Sequence, residues 1–168
     1  MSDPAEIDRA LIGSSAAPFA VEVEKGAIRR FAEAVGDRAE IYFDETFARS
    51  LGYAGIVAPP TFPTTFRPPS KPAWIRGLDE GRFLAGEQGF RYWRPIVAGD
   101  RLECALRLTD VQDKRSSKGS MELIIQDLVI TSVAGDMVCV NRRVVIYRGR
   151  STNLATNLAT NLAQEVSS

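Results

Sequence analysis

The sequence of 168 residues predicts an α+β fold, with a short helical first half followed by an antiparallel β-sheet. Two observations predict this class. Apolar residues recur at helical spacing before residue 52, whereas alternating, strand-like segments fill residues 83–148. Turn residues divide these segments, and the alternation is typical of a sheet with one covered face.

The first elements are a strand and two helices. Phe19 to Val23 alternates apolar and polar residues, which predicts a short strand. Gly26 to Val35 carries an apolar stripe at offsets of three and four, and Gly36 stands where a helix commonly stops. Asp44 is a candidate N-cap for a second helix, Glu45 to Leu51.

A proline-rich segment follows the helices. Ile56 to Phe66 is compatible with the start of a buried helix, because proline is tolerated in a first helical turn. Three further prolines then prevent its continuation, so Arg67 to Ala73 is predicted as an exposed loop. A brief helix is expected around Trp74 to Leu78.

Four strand candidates complete the sheet: Phe83 to Trp93, Arg101 to Lys114, Met121 to Val133 and Met137 to Arg148. The sequence Ala134-Gly-Asp136 predicts a tight hairpin between the last two. Alternation assigns two sets of side chains to the covered face: Leu102, Cys104, Leu106 and Leu108 in one strand, and Val138, Val140, Val144 and Ile146 in another, with one irregularity.

The length and the tail define the predicted domain. Residues 1–150 are expected to form one domain. Residues 151–168 contain Thr-Asn-Leu-Ala three times, a repeat too short for a solenoid, and are interpreted as a low-complexity tail.

Charge and composition exclude several functions. Lysine and arginine, 21 together, balance 21 aspartates and glutamates, so a nucleic acid or an anionic membrane is not an expected partner. No apolar run approaches the roughly 20 residues of a membrane span, and a cytoplasmic location is expected. Cys104 and Cys139 are interpreted as reduced core thiols. Because the chain contains no histidine, it alone supplies neither a histidine-based triad, nor an imidazole base, nor a histidine-ligated metal.

Several motifs resemble the MaoC-like enoyl-thioester hydratases and dehydratases. The segments are Phe31-Ala-Glu-Ala-Val-Gly-Asp37, Ile41-Tyr-Phe-Asp44, Ala48-Arg-Ser-Leu-Gly52, Ile56-Val-Ala-Pro-Pro-Thr-Phe62, and Tyr92-Trp-Arg-Pro95 followed by Gly99-Asp100. The resemblance covers roughly residues 19–148. It implies a hotdog fold, in which about five antiparallel strands wrap a short central helix opened by Thr61 to Phe66, and it implies a dimer or a fused double domain.

The resemblance also implies a catalytic position that this chain has altered. Active members carry Gly-Asp-x-Asn-Pro-x-His-x-Asp, whose aspartate and histidine activate water. Here Asp37 keeps the aspartate, Tyr42 replaces the histidine, and Ala39 and Glu40 replace asparagine and proline. A phenol with a pKa near 10 is a poor base at neutral pH. The alternatives for Asp37 and Tyr42 are a turn residue and a packed aromatic.

Other substrate contacts are implied around the proline-rich segment. Pro60 occupies the position of a glycine whose amide helps hold the thioester oxyanion, so Thr61 becomes the first available donor. Three aromatic residues, Phe62, Phe66 and Trp74, are candidates for an acyl tunnel or for ordinary core packing. Three basic residues, Arg67, Lys71 and Arg76, are candidates for contacts with coenzyme A phosphates or acyl carrier protein, or are simply solvated.

The resulting hypothesis is a histidine-lacking half of a (3R)-hydroxyacyl-thioester dehydratase or enoyl-thioester hydratase, inactive without a histidine-bearing hotdog partner. It implies no metal and no cofactor beyond the coenzyme A or acyl carrier protein that carries the substrate. Two alternatives stay open. One is a homodimeric acyl-thioester binding protein without chemistry, and the other is an autonomous hydratase that uses Asp37, Glu40 or Tyr42.

Overall fold

Five antiparallel strands form one sheet in the computed structural model, which describes residues 7–116 and 119–149. The strands are β1 (Phe19–Glu22), β2 (Phe83–Tyr92), β3 (Arg101–Ser116), β4 (Gly119–Ser132) and β5 (Met137–Arg148). Their spatial order is β1-β3-β4-β5-β2, and every neighbouring pair is antiparallel. The predicted antiparallel sheet is therefore confirmed. The predicted tail, residues 151–168, lies outside the described residues, so the domain boundary at residue 150 stays a prediction.

The hairpin between β4 and β5 shows why the sequence predicts the strand boundaries. Gly135 adopts a φ of 91°, a left-handed conformation that favours glycine. The hydroxyl oxygen of Ser132 accepts hydrogen bonds from the backbone N–H groups of Ala134, at 3.2 Å, and Asp136, at 3.1 Å. These contacts satisfy the turn locally, as its sequence predicts.

Two α-helices precede most of the sheet, as predicted: α1 spans Lys25–Ala34 and α2 spans Glu45–Ser50. The stripe of α1 buries Ile28 and Ala32. Gly36, with a φ of 74°, follows the end of α1. The carboxylate of Asp44 accepts a hydrogen bond of 2.9 Å from the backbone of Phe47, which confirms the N-cap.

The segment expected to open the central helix forms only one 3₁₀ turn, Phe62–Thr65. The predicted helix near Trp74 is also a 3₁₀ turn, Ala73–Ile75. Further 3₁₀ turns span Arg9–Leu11, Glu40–Tyr42 and Glu80–Arg82. Prolines explain the short central element, because Pro68 and Pro69 have no N–H to continue a helical ladder.

The inner face of the sheet forms the core with α1 and the central turn. All four residues predicted for this face in β3, Leu102, Cys104, Leu106 and Leu108, are buried. Residues of the helical half that pack against them include Ile28, Ile56, Phe62 and Phe66. Both cysteines are free and buried, as expected.

The face predicted for β5 is wrong for three of its four residues. Val138 is buried as predicted, but Val140, Val144 and Ile146 are only half-buried, whereas Cys139, Asn141 and Tyr147 are buried. The two faces of β5 are both rich in apolar side chains, so alternation alone did not identify the inner one. Hydrogen bonds from the inward polar residues to the central turn, described below, decide the orientation.

Strand β2 is an edge of the sheet, and most of its residues are exposed. Its register against β5 shifts between Ala85 and Glu87. Gly86 lies at this bulge, where an added Cβ would stand 2.7 Å from the backbone oxygen of Val144. Within the described ranges, no helix has the length and apolar character needed to cross a membrane.

Candidate functional site

A surface cleft of about 420 Å³ lies between the 3₁₀ turn Glu40–Tyr42, the segment before the central turn, and the end of β2. Most of its wall is apolar. The lining residues are Ile41, Tyr42, Val57, Ala58, Pro60, Tyr92, Trp93, Arg94, Pro95 and Ile96. The cleft thus brings together three of the motifs that carry the family resemblance.

Hydrogen bonds to backbone carbonyls join the three walls of the cleft. The N–H of Val57 donates to the carbonyl of Ile41 at 3.1 Å, and the N–H of Ala58 donates to the carbonyl of Ile96 at 2.8 Å. The hydroxyl of Tyr92 donates to the carbonyl of Pro60 at 2.8 Å. Burial raises the pKa of Tyr92 far above its ordinary range, so this donor keeps its proton.

Asp37 and Tyr42 lie close together at one side of the cleft. Asp37 follows the end of α1, and its carboxylate accepts a hydrogen bond of 3.2 Å from the backbone N–H of Ala39. This contact holds the start of the turn that carries Tyr42. Burial, and then the negative charge of Asp37, raise the pKa of the Tyr42 phenol. The phenol is therefore neutral at physiological pH and accepts no proton from water.

A second feature of the cleft concerns Pro60, at the position where the resemblance implies an oxyanion donor. Pro60 lines the cleft and has no N–H, while Thr61 is exposed at the N-cap of the central turn. The turn itself contains four residues. So short an element sums few peptide dipoles, so it stabilises a developing negative charge weakly.

The aromatic residues predicted as candidates for an acyl tunnel do not line this cleft. Three side chains, Phe62, Phe66 and Trp74, are only 4%, 4% and 3% exposed and belong to the core. The ring of Phe62 packs edge-on against Phe31 and Phe66 at centroid distances of 5.5 Å. All three residues pack in the core, and their role in an acyl tunnel stays a prediction.

The three basic residues predicted to contact phosphate do not lie at one site. Arg67 and Lys71 line a second pocket, whereas Arg76 is exposed and lies outside that lining. Lys71 forms an ion pair with Glu80. The predicted phosphate contacts therefore divide into two pocket residues and one surface residue.

Polar residues inside β5 were missed by sequence reasoning. Arg143 donates from one Nη to the carbonyls of Pro63, at 3.1 Å, and Phe66, at 3.0 Å. The amide of Asn141 lies between the carbonyl of Pro63 and the side chains of Gln88 and Arg143. A polar pair interrupting an otherwise apolar strand was the available signal, because buried polar groups require partners.

Comparisons with known proteins agree with the geometry. Residues 10–141 match the family model described as FAS1-like, dehydratase domain region. A UPF0336 protein of Saccharopolyspora erythraea is 33% identical over 148 residues, with 85% of this chain and 92% of that protein covered.

Two solved structures from Mycobacterium tuberculosis share the fold. One is the C-terminally truncated HadBC complex, a 3R-hydroxyacyl-ACP dehydratase, with a TM-score of 0.68 and 24% identity over 81% of this chain and 96% of that chain. The other is the ChsH1–ChsH2 complex, with a TM-score of 0.67 and 23% identity over 86% of this chain and 89% of that chain. The two likenesses, together with the strand order, show the hotdog fold.

Proposed function

The chain belongs to the family of FAS1-like dehydratase domain regions, and from this premise we propose that it is the non-catalytic half of a (3R)-hydroxyacyl-thioester dehydratase or enoyl-thioester hydratase. In this role it supplies walls of the acyl-thioester site and an interface. A partner hotdog chain that carries the aspartate and histidine supplies the base.

One observation carries this proposal: the position opposite Asp37 holds a neutral phenol, in a chain with no histidine. Hydration of an enoyl thioester requires a group that removes a proton from water while the oxygen attacks the β-carbon. Tyr42 is fully protonated at neutral pH, because its pKa is raised above that of an ordinary phenol. Tyr42 therefore does not act as the base, and in this proposal the histidine of the partner chain does.

The oxyanion chemistry supports the same division of labour. Addition of water to the enoyl thioester moves negative charge onto the thioester oxygen, and the enolate then collects a proton at the α-carbon. Amide N–H groups aimed at that oxygen stabilise the transition state. Pro60 offers none at the mouth of the central turn, so in this proposal the partner's equivalent element donates to the thioester oxygen, while the cleft of this chain borders the same thioester.

The edge of the sheet fits a second hotdog chain. Along β2 the backbone edge is open among the described residues; Leu84 in this strand and Trp93, directly after its end, are 44% and 49% exposed. Unpaired edges favour pairing with another chain. Trp93 and Tyr92 line both this edge and the cleft, so a partner paired there would lie beside the cleft. HadBC and ChsH1–ChsH2 are each complexes of two named components, which favours an unlike partner for this chain.

The proposal is tested by hydration of crotonyl-CoA, followed as loss of enoyl absorbance. The purified chain alone is expected to show no turnover above buffer, and a mixture with a hotdog chain that carries the intact aspartate-to-histidine motif is expected to turn over. Losing general-base help alone lowers rates by about 10²- to 10⁴-fold. Robust turnover by the chain alone, after exclusion of a contaminating hydratase, would overturn the proposal.

Two histidine substitutions, one inside and one outside the cleft, test whether position 42 is the base position. Tyr42→His places an imidazole next to Asp37 and is expected to give weak, partial activity, because Ala39 still replaces the motif asparagine. Tyr53→His adds a histidine at a half-buried tyrosine outside the cleft lining and is expected to give none. Equal activity in both variants would show that position 42 is not the base position.

A further inference from the structure

A second pocket, of about 620 Å³, lies between the proline-rich loop and the strand pair β2–β5. On the loop side its wall includes Arg67 and Ser70, and on the strand side it includes Gln88 and Arg143. The bulge at Gly86 forms part of the same wall. This pocket shares no lining residue with the cleft that contains Tyr42.

The charges of this pocket are unbalanced. Arg143 is held on the inner face of β5 by the carbonyls of Pro63 and Phe66, both neutral acceptors. Within residues 7–116 and 119–149, neither Arg143 nor Arg67 forms an ion pair with a carboxylate. Glu87 is the one acidic residue of the described lining.

Within the described residues, neither guanidinium is paired with an anion. Removing a cation from water is unfavourable unless an anion or several hydrogen bonds compensate it. Arg67 and Arg143 both line the pocket, and burial, followed by repulsion from the positive charge of Arg67, lowers the pKa of Arg143. An anion between them would remove this repulsion and gain charge-assisted hydrogen bonds from both.

We propose that Arg67 and Arg143 bind the phosphate group of an organic phosphate ester in this pocket. A phosphate dianion matches two guanidinium groups in charge, and its oxygens match their planar fork of donors. The walls also contain apolar groups, among them Pro68, Pro72 and Val145, which suit the organic part of an ester rather than a free inorganic ion.

The identity of the ester rests on the proposed function: it is the phosphate nearest the pantetheine arm of the thioester carrier, or the 3′-phosphate of coenzyme A. The cleft and the pocket share strand β2, where Tyr92 borders one and Gln88 the other. Tyr92 lies four positions after Gln88, a distance of about 13 Å along the strand. An extended pantetheine arm between a thioester and its phosphate can span this distance.

The site is tested by calorimetric titration of the full chain with pantetheine, 4′-phosphopantetheine, dephospho-CoA and CoA. Pantetheine is expected to bind at least about tenfold more weakly than the phosphorylated ligand that fits, because it lacks the anion. Tight binding of 4′-phosphopantetheine and dephospho-CoA identifies the pantetheine phosphate, whereas tight binding of CoA alone identifies the 3′-phosphate. Equal binding of all four ligands would overturn the proposal.

Two arginine variants separate a built site from diffuse charge. Arg67→Gln is expected to weaken the phosphorylated ligand by about tenfold, since one charge-assisted contact is lost. Arg76→Gln removes the same charge from an exposed position outside the lining and is expected to leave binding unchanged. Equal losses in the two variants would refute a specific site.

Arg143 requires a different substitution, because it also holds the central turn. Arg143→Lys keeps the charge but not the planar fork, and it is expected to weaken binding while circular dichroism stays that of the folded chain. Unchanged affinity in a folded Arg143→Lys variant would remove Arg143 from the site. Phosphate binding is measured without a partner, so a failed hydration assay with intact phosphate binding would contradict the proposed function and leave this site standing.

Discussion

Trp74 and Gln126 provide a quantitative test of how the proline-rich loop is anchored to the sheet. The indole N–H of Trp74 donates to the side-chain oxygen of Gln126 at 3.1 Å. The two residues are 3% and 7% exposed, so water does not replace either partner easily. This hydrogen bond connects the 3₁₀ turn Ala73–Ile75 to the inner face of β4.

Each single substitution leaves a buried polar group without a partner. Trp74→Phe removes the donor and some ring volume, and it is expected to lower the free energy of unfolding by about 2–4 kcal/mol. Gln126→Leu leaves the indole N–H unsatisfied and is expected to lower it by about 1–3 kcal/mol. The double variant removes both polar groups, so its loss is expected to fall short of the sum by about 1–2 kcal/mol.

The assay is urea unfolding followed by circular dichroism, with m-values compared between variants. Trp93→Phe serves as the control, because Trp93 is 49% exposed and its main described contact is stacking under Arg91, at 4.9 Å from the ring centroid. A loss of no more than about 1 kcal/mol is expected there. Additivity of the Trp74 and Gln126 substitutions within about 0.5 kcal/mol would show that the buried hydrogen bond does not anchor the loop.

Three further predictions concern charge, thiols and backbone approach. A hydrogen bond from Arg142 lowers the pKa of Asp127. Its contribution to stability is therefore present above the unfolded pKa of about 3.9 and is lost as the pH falls through the folded pKa. Asp127→Asn should reduce this loss of stability at acid pH, measured by urea titrations. Burial raises the pKa of Cys104 to about 12 and that of Cys139 to about 11, so iodoacetamide at pH 8 should label neither thiol in the native chain and both in urea. Gly86→Ala should lower the unfolding free energy by about 1–3 kcal/mol, whereas Gly89→Ala, with nothing within 4 Å of the added methyl, should change it far less.

Most of the fold could be predicted from local patterns, because the residues that define its helix ends and turns make their contacts within the same short segment. The cap of α2 depends on Asp44 and its own first turn, and the β4–β5 hairpin depends on Ser132 and Gly135. Alternation in β3 also identified the buried face, since its outward residues are mostly polar. Hotdog topology, by contrast, came from family resemblance, because a helical segment followed by antiparallel strands is compatible with several folds.

The predictions that failed concern features that depend on contacts between distant parts of the chain. The inner face of β5 carries Asn141 and Arg143, whose partners are carbonyls about 80 residues earlier in the chain. The polar residues in β5 indicate that buried partners exist, but no local pattern identifies those partners. The central element is short because Pro68 and Pro69 have no N–H to continue a helix, and the carbonyls of Pro63 and Phe66 accept hydrogen bonds from Arg143 in β5.

The candidate site was predicted in part. Family motifs identified Asp37, Tyr42 and Pro60, and the structure places Tyr42 and Pro60 in one cleft with Asp37 beside it. Tyr92, which binds the carbonyl of Pro60, belonged to a recognised motif but had no assigned role. Arg143 belonged to no motif, and only its position opposite the proline-rich loop points to the phosphate ligand that we propose.

The most direct test of the account asks which chain supplies the base in an active pair. In a reconstituted pair, kcat/KM for crotonyl-CoA is measured with Tyr42→Phe in this chain and, separately, with the motif histidine of the partner replaced by alanine. The account predicts a loss of about 10²- to 10⁴-fold for the histidine variant. For Tyr42→Phe it predicts a loss of no more than about tenfold, the effect of one neutral hydrogen bond. Loss of turnover in Tyr42→Phe, with activity retained in the partner's histidine variant, would contradict it.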